Sequence, residues 1–470
     1  MTKSTEPQSC EQCRRLRQEN ERLQTQVAEL QAELAKARKH SGNSSKPPSS
    51  DIVQPPRPKK RGRPKKRRIG GQPGHPRHER TPFAADDLDQ AWEWRYEACP
   101  CCTGPLSDAP AAGPILQQIE LQERPVSIEE HRSIPQWCAR CGKIFVPVWP
   151  EPLRKAGLLG PRLTALVGFL KGACHMSFSA IRKYFRDVMQ VPISRGMLAK
   201  AIGKVSASLQ DPYEALLAML PTEERLHVDE TGHKDNGQRL WTWCFRAYLF
   251  TVYKISPTRS ADVLVEVLGR EFEGILGCDY YSAYRKYMRE FGVLVQFCLA
   301  HFIRDVKFLA EHPEARNRAH GQRLLTDLRA LFRVIHRRSE YATEATFRRA
   351  LEVARAQLVW DATMESPHTR EAVPLEERFY KHTESYFRFI TEPDVEPTNN
   401  LAEQALRFVA IHRRITQGTR SADGQRWCER IWTVIQTCGQ QGRSAFEFLC
   451  AAVTAHFADE SAPALTPDTS

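Results

Sequence analysis

At 470 residues and 41 % hydrophobic content the chain can hold several domains and at least one large core, which excludes a small stapled scaffold. A formal charge of +12 points towards a polyanionic partner. The N-terminal stretch MTKSTEPQSCEQCRRLRQEN lacks a secretory apolar run and no segment reaches about 18 uninterrupted apolar residues, so a cytoplasmic protein without a membrane partner is expected.

Leu16, Leu23 and Leu30 recur every seventh position, with Asn20, Val27 and Leu34 interleaved. That is an a/d seam with one polar a position, which predicts a short two-stranded coiled coil over 1–40 and hence a homodimer or higher oligomer. The alternative is an amphipathic helix packed on its own chain. From 41 to 82 apolar periodicity disappears, and nine of the twelve residues from Arg57 to Arg68 are Lys or Arg. Such a linker condenses onto phosphate by releasing counterions. Within it Arg61-Gly62-Arg63-Pro64, followed by Lys65 and Lys66, resembles the core of an AT-hook, whose extended Arg-Gly-Arg lies in a narrow minor groove. A solvated basic tail without sequence preference is the other reading.

The chain holds fourteen cysteines, several in close pairs, a spacing that favours a metal over disulfides in a reducing compartment. Cys99, Cys102, Cys138 and Cys141 form two C-x2-C knuckles, which together suit one structural Zn2+ within a zinc-binding domain over 83–150. Cys101 could replace a neighbouring thiolate and His131 could enter as a ligand; two unrelated reduced pairs are the alternative. Over 151–215 the pattern is helical. Ser177 and Ser194 are candidate caps on either side of the Val191-Pro192-Ile193 break, and the result resembles a helix-turn-helix with Arg195 and Lys200 facing a DNA groove. Helix pairs of this kind also serve as mere packing units.

After Pro221 the texture turns to strands: RLHVDET, RLWTWCFRAY and LFTVYKIS should adjoin antiparallel, and GILGCDYY supplies a further buried strand. Asp229 and Asp279 each follow an apolar run, so each is expected at or near a core-strand end, where a carboxylate is costly unless bonded or holding a metal. A helical region from 302 to about 390 follows, and then Pro397-Thr-Asn-Asn-Leu-Ala-Glu403 opens a helix that Asn399 or Asn400 could cap.

Two aspartates about 50 residues apart and a glutamate about 124 further on resemble the DDE triad of transposases on the ribonuclease H-like fold. HVDET, CDYYSAY, CLAH and NNLAEQALR, with the leucine repeat, NSSKPPSSD and the paired cysteines, are similar to the signature blocks of the insertion sequence 66 family of bacterial transposases. The resemblance implies an α/β, ribonuclease H-like mixed-sheet catalytic domain over 221–412 with a helical insertion, followed by a C-terminal helical region and tail over 413–470. It also implies catalytic residues Asp229, Asp279 and Glu403, with Asp229 bridging two Mg2+ or Mn2+ ions. Hard oxygen ligands suit those ions, which can promote 3′-end cleavage and strand transfer on double-stranded DNA, element ends and target alike. Small accessory transposition proteins would be partners, and a nucleoid location would follow.

Cys298 and His301 match a C-x2-H block of several transposase groups, with Arg304 able to meet phosphate; a packing role is equally open. Arg407, Arg413 and Arg414 would serve DNA phosphates. Three rivals stand beside this reading: a DNA-binding regulator without chemistry, a catalytically inactive relic of the fold, and a magnesium-dependent nuclease on it.

Overall fold

The computed structural model describes residues 11–37, 81–107, 115–123 and 125–466. The basic run with Arg61, Arg63, Lys65 and Lys66 lies outside the described residues. The chain divides into two units, Pro55–His131 and the remainder.

Among the described residues of the smaller unit the backbone is mostly irregular. A turn at Cys99–Gly104 is closed by Cys99 N–H to Gly104 O at 2.9 Å and Thr103 N–H to Cys99 O at 2.8 Å. Gln117 ties to both backbone groups of Phe83, donating to its carbonyl and accepting from its N–H.

The larger unit begins with α1 (Glu11–Ala37), whose Leu16, Leu23, Val27, Leu30 and Leu34 are all exposed. The β1 (Gln136–Cys138) and β2 (Lys143–Phe145) hairpin is followed by α2 (Glu151–Ala156), α3 (Pro161–Gly172), α4 (Phe178–Asp187), α5 (Arg195–Ser208) and α6 (Gln210–Met219). Ser177 accepts Ala180 N–H and Ser194 accepts Met197 N–H, so each hydroxyl starts the helix after it. Between those helices, Val167, Ile181, Phe185, Ile193, Leu198 and Ala201 form a small core of their own.

Beyond it lies a five-stranded mixed sheet of β3 (Arg225–Asp235), β4 (Gln238–Arg246), β5 (Thr251–Ser256), β6 (Ile275–Cys278) and β7 (Leu294–Phe297), in the order β5-β4-β3-β6-β7. The three consecutive strands pair antiparallel, whereas β3–β6 and β6–β7 are parallel. The parallel pairings need crossovers, supplied by α7 (Ala261–Leu268) and α8 (Ser282–Phe291). There follow α9 (Leu299–Ala310), α10 (Ala315–His336), α11 (Glu344–Thr363) and α12 (Val373–Phe387), then α13 (Asn400–Thr416), α14 (Ala422–Gln440) and α15 (Ala445–Ala458).

The exposed edge of β5 is closed by side chains. Its N–H groups at Thr251, Tyr253 and Ile255 donate to Thr437, Thr433 and Glu429, so residues two apart on the strand meet residues four apart on α14. An edge strand whose donors are all taken cannot pair with another chain. Both faces of the sheet are buried by large residues, Trp243, Phe245, Tyr253, Tyr284 and Trp432 among them.

Candidate active site

β3 and β6 run parallel only over Arg225–His227 against Ile275–Gly277. Their closeness leaves no room at Gly277, where a Cβ would lie 2.9 Å from His227 Nδ1. Asp279 directly follows β6, as expected of a strand-end acid. Asp229 does not end its strand: β3 continues through Asp235 and turns into β4 at Asn236-Gly237, both with positive φ. The segment TGHKD lacks apolar alternation and so resembles a loop in sequence, yet cross-strand pairing carries it. What ends near Asp229 is the parallel ladder, and there the charge of Asp279 acts on the Asp229 carboxyl.

The third element is brought to the same place by hydrogen bonds. Asn399 Nδ2 donates to Val228 O at 2.8 Å and its Oδ1 lies 3.1 Å from His227 Nδ1, so one amide reads the two residues before Asp229. Asn399 N–H reaches Cys298 Sγ at 3.1 Å, Cys298 N–H donates to Cys278 O at 2.8 Å, and Leu299 N–H donates to Pro397 O at 2.9 Å. Asn399 thus occupies the N-cap position of α13, but its side chain serves β3 and makes no cap bond. Glu403 follows in the first turn, its N–H donating to Asn399 O at 3.2 Å.

Asp229 Oδ1 accepts Glu230 N–H and Asp279 Oδ1 accepts Tyr281 N–H, each at 2.9 Å; among the described residues neither Oδ2 has a hydrogen bond. Burial, and then the charges of Glu230, Asp279 and Glu403, push the Asp229 carboxyl well above the usual carboxylate range. Burial and Glu230 raise Asp279 to about 6, against the pull of His301, Tyr281 N–H and Arg259. Like charges crowded in low dielectric are relieved by a cation, and two uncommitted carboxylate oxygens are hard donors of the type that Mg2+ or Mn2+ prefers. The two aspartates therefore offer the donor type of a divalent metal, although the described ligand atoms that lie within 4.8 Å of one another belong to Cys298, His301 and Glu403 and not to them.

Glu403 is already held. Arg304 Nη2 lies 3.1 and 3.3 Å from its two oxygens, and His301 Nδ1 approaches at 3.5 Å without making a hydrogen bond. Burial lowers the His301 pKa despite the nearby Asp279 and Glu403 charges. Ligand atoms of Cys298, His301 and Glu403 lie within 4.8 Å of one another, a mixed sulfur, nitrogen and oxygen set that suits zinc better than magnesium.

Glu230, next to Asp229, points to the other side of the strand and is fully buried. Arg259 Nε and the Tyr284 hydroxyl both donate to it, and Arg259 stacks on Tyr281 with 3.6 Å to the ring centroid. These residues, like Asn399 in its actual role, are absent from the sequence-based set, because pairing across 29 or 54 positions leaves no local pattern.

The remaining candidates scatter. Arg413 donates to Thr231 on β3 at 3.2 Å, while Arg407 and Arg414 are exposed on α13. Arg195 and Lys200 are exposed on α5, where Arg195 also donates to Ser179 at 2.8 Å. The cysteine pairs fall in different units. In each, the first thiol is lowered by donors from its own turn: Cys99 by the N–H groups of Cys101 and Cys102, and Cys138 by the N–H and thiol of Cys141.

Residues 156–426, which contain Asp229, Asp279 and Glu403, match the Transposase IS66 family. The chain belongs to that family. The match takes in α3 to α13, with the sheet and the helices between β7 and α13, so the IS66-family region includes every element that converges on Glu403. Residues 5–81 match a separate family of unknown function. Two curated relatives from Sinorhizobium fredii are 25 % and 24 % identical: the uncharacterized protein y4qI, over 65 % of this chain and 61 % of its own length, and the uncharacterized protein y4hP, over 64 % and 60 %. The chain thus spans about three fifths of each of those relatives. No helix among the described residues is long and apolar enough to cross a membrane.

Proposed function

We propose that this member of the IS66 family is a DNA transposase of a bacterial insertion sequence, with Asp229, Asp279 and Glu403 as its reacting centre. The observation that carries the reading is the hydrogen-bonded path Val228–Asn399–Cys298–Cys278, which holds the neighbours of all three acids together. The strand order, with three antiparallel strands followed by two parallel to the first, supports a ribonuclease H-like catalytic domain.

Asp229, Asp279 and Glu403 would hold two Mg2+ or Mn2+ ions, and the chemistry supplied there is activation of the attacking oxygen and stabilisation of the leaving one. Asn399 fixes the spacing between β3 and α13, and Arg304 fixes the Glu403 carboxylate. In the first step a water oxygen bonds to the phosphorus at the element boundary and the bond to the 3′ oxygen breaks, leaving a 3′ hydroxyl. That hydroxyl oxygen then bonds to a target phosphorus, and one phosphodiester bond replaces another with no covalent protein intermediate. We further assign double-stranded DNA binding to the basic arm with its AT-hook-like core, the α4–α5 pair and the arginines of α13. A structural zinc on Cys99, Cys102, Cys138 and Cys141 and a coiled-coil dimer through α1 complete the assignment, with small accessory proteins as further partners and the nucleoid as location.

Purified protein with an end-containing duplex and Mg2+ should nick at the element boundary, and Ala at any triad position should abolish nicking while leaving DNA binding nearly intact. Normal cutting by all three single variants would remove the assignment. One observation favours a second reading, a catalytically inactive DNA-binding regulator: the protein itself supplies Glu403 with a cationic partner, Arg304 at 3.1 Å. A parent that binds ends yet never cuts in Mg2+ or Mn2+ would decide for it.

A further inference from the structure

The loop after Asp279 opens onto a groove that none of the residues above accounts for. Two cavities, of about 440 and 630 Å³, flank α8 and share Arg285 and Arg289. The first is also lined by Arg259 and Lys286 and, among the described residues, has no acid in its wall. The second adds Arg378, Lys381 and a single acid, Glu377, whose carboxylate Lys381 holds at 2.7 Å.

The cations have two kinds of role. Arg259 and Arg378 are neutralised from within, by Glu230 and by Asp305, and act as struts: Arg259 lies over Tyr281, and Arg378 over Tyr280 at 4.4 Å. Arg285 covers Tyr280 at the same 4.4 Å. Lys286 and Arg289 are exposed and, among the described residues, their one ion-pair partner is the carboxylate of Glu290, at 3.9 and 4.0 Å. The floor is therefore rigid and aromatic, and the rim carries an excess of positive charge. Tyr280 and Tyr281 immediately follow Asp279, whose Oδ1 accepts the Tyr281 N–H, so the groove begins at the carboxylate cluster. A ten-residue helix runs about 15 Å, the axial rise of about four base pairs.

We propose that this groove receives the phosphate backbone of the DNA strand next to the scissile bond, with Arg285, Lys286 and Arg289 contacting phosphates. The assignment rests on the transposase reading and adds a strand path to it. A continuous polyanion matches the groove better than a small anion, because its cations line both cavities along α8 and do not converge on one point.

The test uses the full chain, a fluorescent duplex carrying the element end, and the Lys286→Gln/Arg289→Gln double variant, whose side chains are exposed; Arg348→Gln/Arg349→Gln on α11 is the control. Each phosphate contact contributes about 0.9 to the slope of log affinity against log salt, so the double variant should lose about 1.8 from it. Between about 50 and 200 mM salt the parent should then lose about 12-fold more affinity than the variant, and the control should track the parent. Methylphosphonates at the phosphates bordering the boundary should weaken the parent and add little in the double variant. A parental slope in the double variant, an equal loss in the control, or fully additive methylphosphonate effects would overturn the groove, with the transposase reading intact if the parent nicks. A parent that neither binds nor nicks would remove both.

Discussion

Replacing Asp279 by Asn should make the metal-free protein more stable while destroying its activity. The amide keeps an oxygen for the Tyr281 N–H, removes the charge and puts an NH2 in place of the second oxygen. In the folded protein the carboxyl titrates near 6, against an ordinary 3.8, because burial and the Glu230 charge disfavour its ionised form. A carboxyl raised on folding contributes stability below its unfolded value, and loses that contribution as pH climbs through the folded one. The gap between about 6 and 3.8 corresponds to about 3 kcal/mol, an upper figure because water and side chains relax around a real charge. In EDTA at pH 8 the Asn variant should therefore exceed the parent by up to about 3 kcal/mol in urea unfolding, with the difference shrinking between pH 6 and 4 and vanishing below. Saturating Mg2+ should raise the parent and leave the variant nearly unmoved. A parent as stable as the variant at pH 8, or a difference flat across this range, would refute the picture of crowded carboxylates awaiting a cation.

Tyr284→Phe removes one of two donors to the buried Glu230 and should cost about 2 kcal/mol by urea unfolding; no loss would mean that the hydroxyl does not support that charge. Purified protein should carry one zinc per chain by atomic absorption, Cys141→Ser should lose it, and end binding should weaken in step; unchanged zinc content would remove the four-cysteine site. Glu at both Leu23 and Leu30, which are 50 % and 65 % exposed, should convert a dimer to a monomer in sedimentation velocity at micromolar concentration, and a monomeric parent would refute the coiled coil.

The strands, the place of Asp279 directly behind one of them and the starts of α4 and α5 are legible because each leaves a local trace: β-branched and aromatic runs, an acid behind an apolar stretch, serines before helical runs. The far half of β3 left none, since Thr231-Gly-His-Lys-Asp235 alternates no apolar residues, although the Asn236-Gly237 that follows is a strong hairpin signal. Asn before a helical run is commonly a cap, so the sequence offers Asn399 or Asn400 for that role. The bonds of Asn399 to His227 and Val228 span 172 and 171 positions, a distance over which residue type carries no pairing information. The basic groove escaped for a related reason: Arg259, the α8 cations and Arg378 are dispersed in sequence, and folding alone gathers them.

The Asn399 bridge also sets a time order on synthesis. A ribosome completes β3, β6 and both aspartates long before it reaches the residue that ties α13 to them. A nascent or prematurely terminated polypeptide ending anywhere in the α9–α12 segment would own two of the three acids and no means of assembling the third. On the proposed mechanism such fragments could not cut the chromosome that encodes them, and competence would arise only once the last helices had been made and docked.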